Sequence, residues 1–247
     1  MEEVKAEMRS QAEALGISLH SMNGLIDSGK NKAATHRRAS PNDVYTFSYT
    51  SGTTGDSKGA MITHGNMMAM IGSISKVVDL HGSDIHLSYL PLPHVFERLV
   101  MVSMFYHGAR IGFFQGDVLK LKEDLAELRP TIFPSVPRLW MRMYDVMMGR
   151  TKDLKGCKAN LVAKATAVKL RNLTNAAVYT HGCYDALVFK KMKTVLGGRV
   201  RMCVSGSAPI NTDVLNFLKI AFCCPIIEAY GLTESTAAAT CTRKEDP

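Results

Sequence analysis

No apolar run in the 247 residues approaches the roughly 18 needed to cross a bilayer as a helix. The opening Met1-Glu2-Glu3-Val4-Lys5 has no leader-peptide pattern. Six cysteines show no paired metal-type spacing; Cys223 and Cys224 are adjacent and the others are scattered. That argues against a zinc site or a disulfide framework and for free thiols in a reducing compartment. Internal repeats and low-complexity tracts are absent. The basic stretch from Gly24 to Asn42 has no Phe, Tyr or Trp for base stacking, which argues against a nucleic-acid arm. The pattern Gly-x-x-x-x-Gly-Lys-Ser/Thr, which builds one common phosphate loop, does not occur.

A chain of this length buries about 70–75% of its unfolded surface, enough for one large domain or two small ones. Its net charge of +8 suits an anionic small molecule, an anionic membrane or nucleic acid, without choosing among them.

The most informative stretch is Thr46-Phe47-Ser48-Tyr49-Thr50-Ser51-Gly52-Thr53-Thr54-Gly55-Asp56-Ser57-Lys58-Gly59. Val44 to Tyr49 alternates as a short strand does. Gly52 and Gly55 permit backbone conformations that aim N–H groups at phosphate oxygens. Thr50, Ser51, Thr53 and Thr54 add hydroxyls, and Lys58 adds a mobile charge. Met61 to Val77 is apolar and mostly helix-compatible, with Asn66 as the N-cap of a helix through Met67, Met70, Ile71 and Ile74.

Elsewhere, helical and extended patterns alternate. Val4 to Leu15 reads as an amphipathic helix ended by Gly16, Ile17–His20 as a short buried strand, and Gly24 to Asn42 as a polar linker. Leu87–Leu90 leads through two prolines to His94 and the apolar helix Val95–Phe105. Ala109–Phe114 reads as a buried strand. Asp117 caps Val118–Leu128, and Pro130 stops that helix. Thr131–Ser135 is a strand leaving through a two-proline corner into another helix. Lys152 to Tyr179 is helix-prone, and its basic residues are expected to coat a surface. Tyr184 to Leu196 has helical spacing closed by Gly197-Gly198. Val200–Val204 and Pro225–Glu228 are strands, and Asn211 or Thr212 caps the helix between them. This order predicts an α/β fold, layered sheets flanked by helices. The two strands end in small-residue turns, Gly206-Ser207-Ala208-Pro209 and Glu228 to Glu234, where open α/β sheets bind ligands. Tyr230 offers a stacking face, Thr233 a hydroxyl and Glu234 a hard oxygen for magnesium.

The order Tyr-Thr-Ser-Gly-Thr-Thr-Gly-x-x-Lys-Gly resembles the phosphate loop of the adenylate-forming superfamily of acyl-CoA synthetases, luciferases and peptide-synthetase adenylation domains. The segments Ser88–Arg98, His107–Asp117, Pro130–Leu139 and Leu196–Arg201 look like long-chain fatty-acyl-CoA synthetase. The resemblance runs from about Val44 to Thr240 and implies a two-step reaction. A fatty carboxylate attacks the α-phosphate of ATP, and CoA then displaces AMP. It also implies a site for each motif. Thr50, Ser51, Gly52, Thr53, Thr54, Gly55 and Lys58 hold the β- and γ-phosphates. Gly206, Ser207, Ala208, Glu228, Ala229, Tyr230, Gly231 and Thr233 surround adenine and the α-phosphate. Thr50 and Glu234 ligate Mg2+, and His94 faces the acyl carboxylate. Lys58, Thr233 and Glu234 are the expected catalytic groups.

Against the family pattern, Ser57 stands where proline is frequent, Ala229 where glycine precedes Tyr-Gly, and Gly65 where arginine is common. The resemblance further implies that residues 1–43 are a helix and linker of the same domain, and that 44–247 are an AMP-binding domain incomplete at its C-terminus, without the small C-terminal domain. Such a piece is expected to bind nucleotide weakly and to turn over poorly. For the complete protein the resemblance implies membrane association at the cytosolic face of the endoplasmic reticulum or the mitochondrial outer membrane, and no nucleic-acid partner. The alternatives are a ligase for another carboxylic acid and a non-catalytic, truncated nucleotide-binding or interaction protein.

Overall fold

The computed structural model describes residues 4–30, 32, 34–50 and 56–246. They fall into two compact units, Met1–Ala39 and Ser40–Pro247.

In the first unit, α1 (Ala6–Ala14) ends as expected: Gly16 adopts φ +68°, and the Ile17 N–H closes back on the Ala12 carbonyl. Ile17–His20 is not a strand. Among the described residues it has no strand partner, and Ile17 is 56% exposed. The polar stretch after it is not all linker either, because α2 spans Met22–Lys30. The Ser21 hydroxyl accepts from the Gly24 N–H in its first turn, and Lys30 pairs with Asp27 at 2.7 Å in its last. Gly24, Gly29 and Lys30 carry a glycine–lysine spacing reminiscent of a phosphate loop, but Asn31 follows and the glycines lie inside the helix.

The second unit begins with an antiparallel hairpin, β1 (Val44–Thr50) and β2 (Lys58–Thr63), paired from Thr50↔Lys58 to Val44↔Thr63. Met61–Thr63, part of the helix-compatible stretch by sequence, is therefore strand. α3 (His64–Ile74) begins later, and its N-cap is Thr63, not Asn66. Asn66 supplies the other half of the capping box: its N–H donates to Thr63 Oγ1 at 3.1 Å, and its side chain accepts from the Thr63 N–H at 3.0 Å. Ile62 packs with Met67 and Ile71 of α3 and with Val95 and Leu99 of α4 (Val95–Tyr106).

The main sheet has the order β4-β3-β5-β6-β7-β8. Its strands are β3 (Ile85–Ser88), β4 (Arg110–Phe113), β5 (Ile132–Ser135), β6 (Met202–Gly206), β7 (Ile226–Tyr230) and β8 (Thr240–Cys241). The first five in that order run parallel, and β8 is antiparallel to β7. β4 is an edge strand, so it is not buried as expected; Phe113 is 67% exposed.

Alternation sorts the strand residues between two layers. Leu87, Phe133, Cys203 and Ile226 face a core shared with α5 (Leu121–Leu128), α6 (Pro137–Lys152), α7 (Cys157–Ala176) and α10 (Thr212–Phe222). Ile132, Met202 and Ile227 face the other way, toward Val78 and the α3–α4 side. Before α5, Asp117 caps a 3₁₀ turn, Val118–Lys120, and the α-helix starts only at Leu121. Residues 182–196 are broken into α8 (Gly182–Tyr184), a π turn, α9 (Lys190–Lys193) and a 3₁₀ turn before the left-handed Gly197.

One lysine of α7 departs from the surface expectation. Lys169 is fully buried; its Nζ donates to Asp185 Oδ1 at 2.5 Å and to the Ile220 carbonyl at 2.7 Å, and sits 4.4 Å from the Phe189 ring.

The N-terminal ends of three neighbouring strands are stapled by one carboxylate. Asp84, before β3, accepts from Thr131 Oγ1 at 2.6 Å and from Arg201 Nε at 2.9 Å. It also accepts from the His81 N–H at 2.8 Å. Burial by itself would raise the Asp84 carboxyl, but these donors and the Arg201 charge hold it below the usual aspartate value. The opposite, carboxyl ends of the strands are left for the site.

Candidate functional site

From β3 the chain crosses through α4 to β4, then returns through α5 to β5 on the other side of β3. Ligand crevices of open α/β sheets form at such reversals, outside the carboxyl ends of the strands. A cavity of about 400 Å3 occupies this position on the α3–α4 face.

Its mouth is polar and built from four separate segments. Thr50 ends β1, and its Oγ1 lies 3.4 Å from the Lys58 carbonyl. His94 caps α4, its Nδ1 accepting from the Phe96 N–H at 3.2 Å. Gly206 ends β6, and Ser207 follows in a left-handed conformation, φ +76°. Ala229 sits near the end of β7. Gly231, Thr233 and Glu234 come from the turn after it.

That turn folds back tightly. The Leu232 N–H donates to Ser235 Oγ at 2.9 Å, the Ala237 N–H to the Leu232 carbonyl at 3.1 Å, and the Ala239 N–H to the Tyr230 carbonyl at 2.8 Å. A Cβ on Gly231 would stand 1.7 Å from the Ala237 carbonyl oxygen, so this position requires glycine.

The interior is apolar except for the buried Ser103 hydroxyl on α4. Ile74, Val78 and Leu80 line it from the α3 side, Leu99, Val100 and Met104 from α4, and Ile132 and Val204 from the sheet. α4 is held in place from within by His86 of β3, whose Nε2 meets Glu97 Oε1 at 3.0 Å with both side chains fully buried.

Some expected residues are not at this cavity. Lys58 opens β2, exposed and across the hairpin from Thr50. Ala208 is exposed beyond Ser207. Glu228 and Tyr230 do not line it, because strand alternation turns them to the face opposite Ala229; Tyr230 is 64% exposed. Ser51, Gly52, Thr53, Thr54 and Gly55 lie outside the described residues. Among the described residues no cluster of three His, Cys, Asp or Glu forms a self-contained metal site. Thr50 and Glu234 are nonetheless hard oxygen donors at one mouth. That suits magnesium, which keeps waters and takes one or two protein oxygens together with phosphates.

The apolar lining was not singled out from sequence. Its signal lay in α4, whose Val95-Phe96-Glu97-Arg98-Leu99-Val100-Met101-Val102-Ser103-Met104 is apolar on more than one face. A helix needs that pattern only when two sides are covered.

Comparison with known proteins gives concordant results. A family model described as AMP-binding enzyme matches residues 2–247. The chain is 40% identical to long-chain-fatty-acid–CoA ligase 6 of Rattus norvegicus, over 100% of this chain and 36% of that protein. It is 41% identical to the peroxisomal long chain acyl-CoA synthetase 7 of Arabidopsis thaliana, over 90% of this chain and 31% of that protein. The chain thus spans about a third of the length of these relatives. Among solved structures, the adenylation domain of a carboxylate reductase from Mycobacterium chelonae superimposes with a TM-score of 0.71 at 23% identity, over 96% of this chain and 34% of that one. The A-PCP didomain of carboxylic acid reductase from Segniliparus rugosus, in complex with AMP, gives 0.65 at 24% identity, over 92% and 30%. At that identity these two structures speak for the fold alone: a mixed α/β architecture of adenylation-domain type.

Proposed function

The chain belongs to the AMP-binding enzyme family, and on that premise we propose that it serves the ATP-dependent activation of long-chain fatty acids. The carboxylate attacks the α-phosphate of ATP, giving acyl-adenylate and pyrophosphate, and the CoA thiol then displaces AMP. The observation that carries this reading is the division of one cavity into a polar mouth and an aliphatic interior. Its size lies in the range of small-molecule sites. Apart from the Ser103 hydroxyl, its interior offers little to a second charged group and much to an alkyl chain.

In this reading the hydroxyls from Thr50 to Thr54, the glycines Gly52 and Gly55, and Lys58 grip the β- and γ-phosphates. Gly206 and Ser207, with Ala229, Gly231 and Thr233, take adenine and the α-phosphate. Small side chains there let a ring lie against backbone. His94, at the α4 N-terminus, faces the acyl carboxylate, and the chain runs inward past Val100 and Met104. Magnesium held by Thr50 and Glu234 would neutralise phosphate charge. What the protein contributes is alignment of the attacking oxygen with the α-phosphate, which lowers the barrier by prepaid orientation.

For the complete protein the proposed address is the cytosolic face of the endoplasmic reticulum or the mitochondrial outer membrane. The peroxisomal name of one relative offers a different one, and organelle fractionation separates them. No described helix of this chain is long and apolar enough to cross a membrane.

The test is binding of non-hydrolysable acyl-adenylate mimics by calorimetry. A palmitoyl mimic binds at least about tenfold more tightly than an acetyl one, since each buried CH2 contributes ~0.8 kcal/mol. Equal affinity for both would remove the long-chain assignment. Failure of both to bind would remove the nucleotide assignment as well.

A further inference from the structure

The charge of this chain is concentrated in one stretch. Residues 137–199, which contain α6 to α9, hold thirteen Lys and Arg against three Asp, a net +10. The whole chain carries +8, so everything else sums to −2. Lys169 is buried against Asp185 and Lys193 is half-buried, but the other eleven basic residues are exposed. Among the described residues none of those eleven makes an ion pair.

Helix geometry gathers many of these charges into stripes. On α6 the core takes Trp140 and Met147. Positions 138, 141, 142, 145, 146, 149 and 150 are exposed at three-and-four spacing. That stripe interleaves Arg138, Arg142 and Arg150 with Met141 and Val146, which are 39% and 51% exposed. α7 repeats the arrangement. Ala165, Lys169 and Leu173 turn inward, while Lys158, Leu161, Lys164 and Arg171 face out. Both helices pack on α10, in the layer across the sheet from the cavity.

We propose that the outer faces of α6 and α7 dock on an anionic lipid bilayer. Unpaired cations spread over two helices match a surface of negative headgroups, where each contributes through the membrane's own potential. The aliphatic residues between them choose lipid over nucleic acid. Met141, Val146 and Leu161 can enter the headgroup–acyl boundary, whereas a nucleic-acid face would place aromatic or hydrogen-bonding side chains there. The inference is independent of the reaction proposed above, and its test uses no turnover.

The test is co-sedimentation of the 247-residue chain with vesicles. Phosphatidylcholine alone is compared with phosphatidylcholine and phosphatidylserine at ~2:1, and each exposed lysine or arginine at the surface is expected to contribute about fivefold. Binding to the serine-lipid vesicles, weakened by salt and absent on phosphatidylcholine, is expected. The combined variant Arg142→Glu, Lys158→Glu, Lys164→Glu and Arg171→Glu is expected to lose on the order of 100-fold or more in affinity. The same number of reversals in the first unit (Lys5→Glu, Lys30→Glu, Arg37→Glu, Arg38→Glu) changes it by no more than a few-fold. Equal losses in the two variants, or no preference for serine lipid, would overturn the proposal. So would binding to heparin or duplex DNA with vesicles ignored. If the first variant does not fold, hydrogen exchange of the unaltered chain on vesicles decides. Protection confined to the exposed faces of α6 and α7 supports the docking face, and protection elsewhere or nowhere overturns it.

Discussion

Replacing Gly231 by alanine adds one methyl group where the backbone leaves no room. The new Cβ would stand 1.7 Å from the Ala237 oxygen, 2.5 Å from its carbonyl carbon and 2.8 Å from Ala238 Cα. Ordinary contact begins near 3.4 Å, so the returning arm of the turn must retreat by about 1.7 Å. No flexible side chain can absorb this, because all three obstructing atoms are backbone. The arm is tied to Leu232 and Tyr230 by hydrogen bonds from Ala237 and Ala239, and retreat breaks at least one of them. Overpacking of this kind costs about 1–3 kcal/mol, and a lost hydrogen bond adds ~1 kcal/mol. The consequence for function is larger, because Thr233 and Glu234 ride on the same turn. A displacement of about 1 Å at a positioning segment costs on the order of 100-fold. The assay is calorimetric titration with Mg·ATP, beside thermal unfolding. The expected result is loss of nucleotide affinity by about tenfold or more with a modest fall in Tm. Unchanged affinity at an unchanged Tm would show that this turn is neither tight nor part of the nucleotide site.

Asp84→Asn should destabilise the second unit by about 2–3 kcal/mol, since it leaves the Arg201 and Thr131 donors facing a neutral amide. The Asp84 carboxyl is held below its ordinary value, so its stabilisation is complete above about pH 3.9 and is lost as pH falls through the folded value. The variant's unfolding should therefore lose part of its acid dependence, and denaturant melts at several pH values would detect this. Lys169→Ala should cost about 3 kcal/mol, by leaving Asp185 and the Ile220 carbonyl without their donor in the core. Lys169→Met, which refills the volume, should cost less; the reverse order would contradict the packing account. Val100→Trp should fill the inner cavity and weaken a palmitoyl-adenylate mimic by at least about tenfold, while leaving Mg·ATP affinity unchanged. Parallel loss of both ligands would mean that they do not occupy separate ends of one cavity.

The elements most legible in the sequence were those whose environment is uniform. β5, β6 and β7 are parallel strands with buried starts, and their short apolar runs, ending in a proline corner for β5 and in small-residue turns for β6 and β7, were readable as such. Helix ends marked by Asn211 and by Gly197 were readable because caps are local chemistry. What failed depended on partners that sequence does not display. β2 is a strand only because β1 lies beside it, and Ile17–His20 is not one because no described strand pairs with it. Lys169 belongs to a basic helix face by composition, yet Asp185 lies sixteen residues on and draws it inside. The mouth of the candidate site was visible as motifs. Its apolar interior was not, since it is shared among α3, α4 and two strands that meet only in the fold.

One measurement reaches the central claim directly: a crystal structure of this chain with a palmitoyl-adenylate mimic. The account predicts the adenine between the Gly206–Ser207 and Ala229–Gly231 segments, the phosphate mimic beside Thr50 and Thr233, and the alkyl chain running inward between α4 and β5–β6 past Val100 and Met104. Ligand density outside this cavity, or an alkyl chain left in solvent with the cavity unfilled, would contradict it.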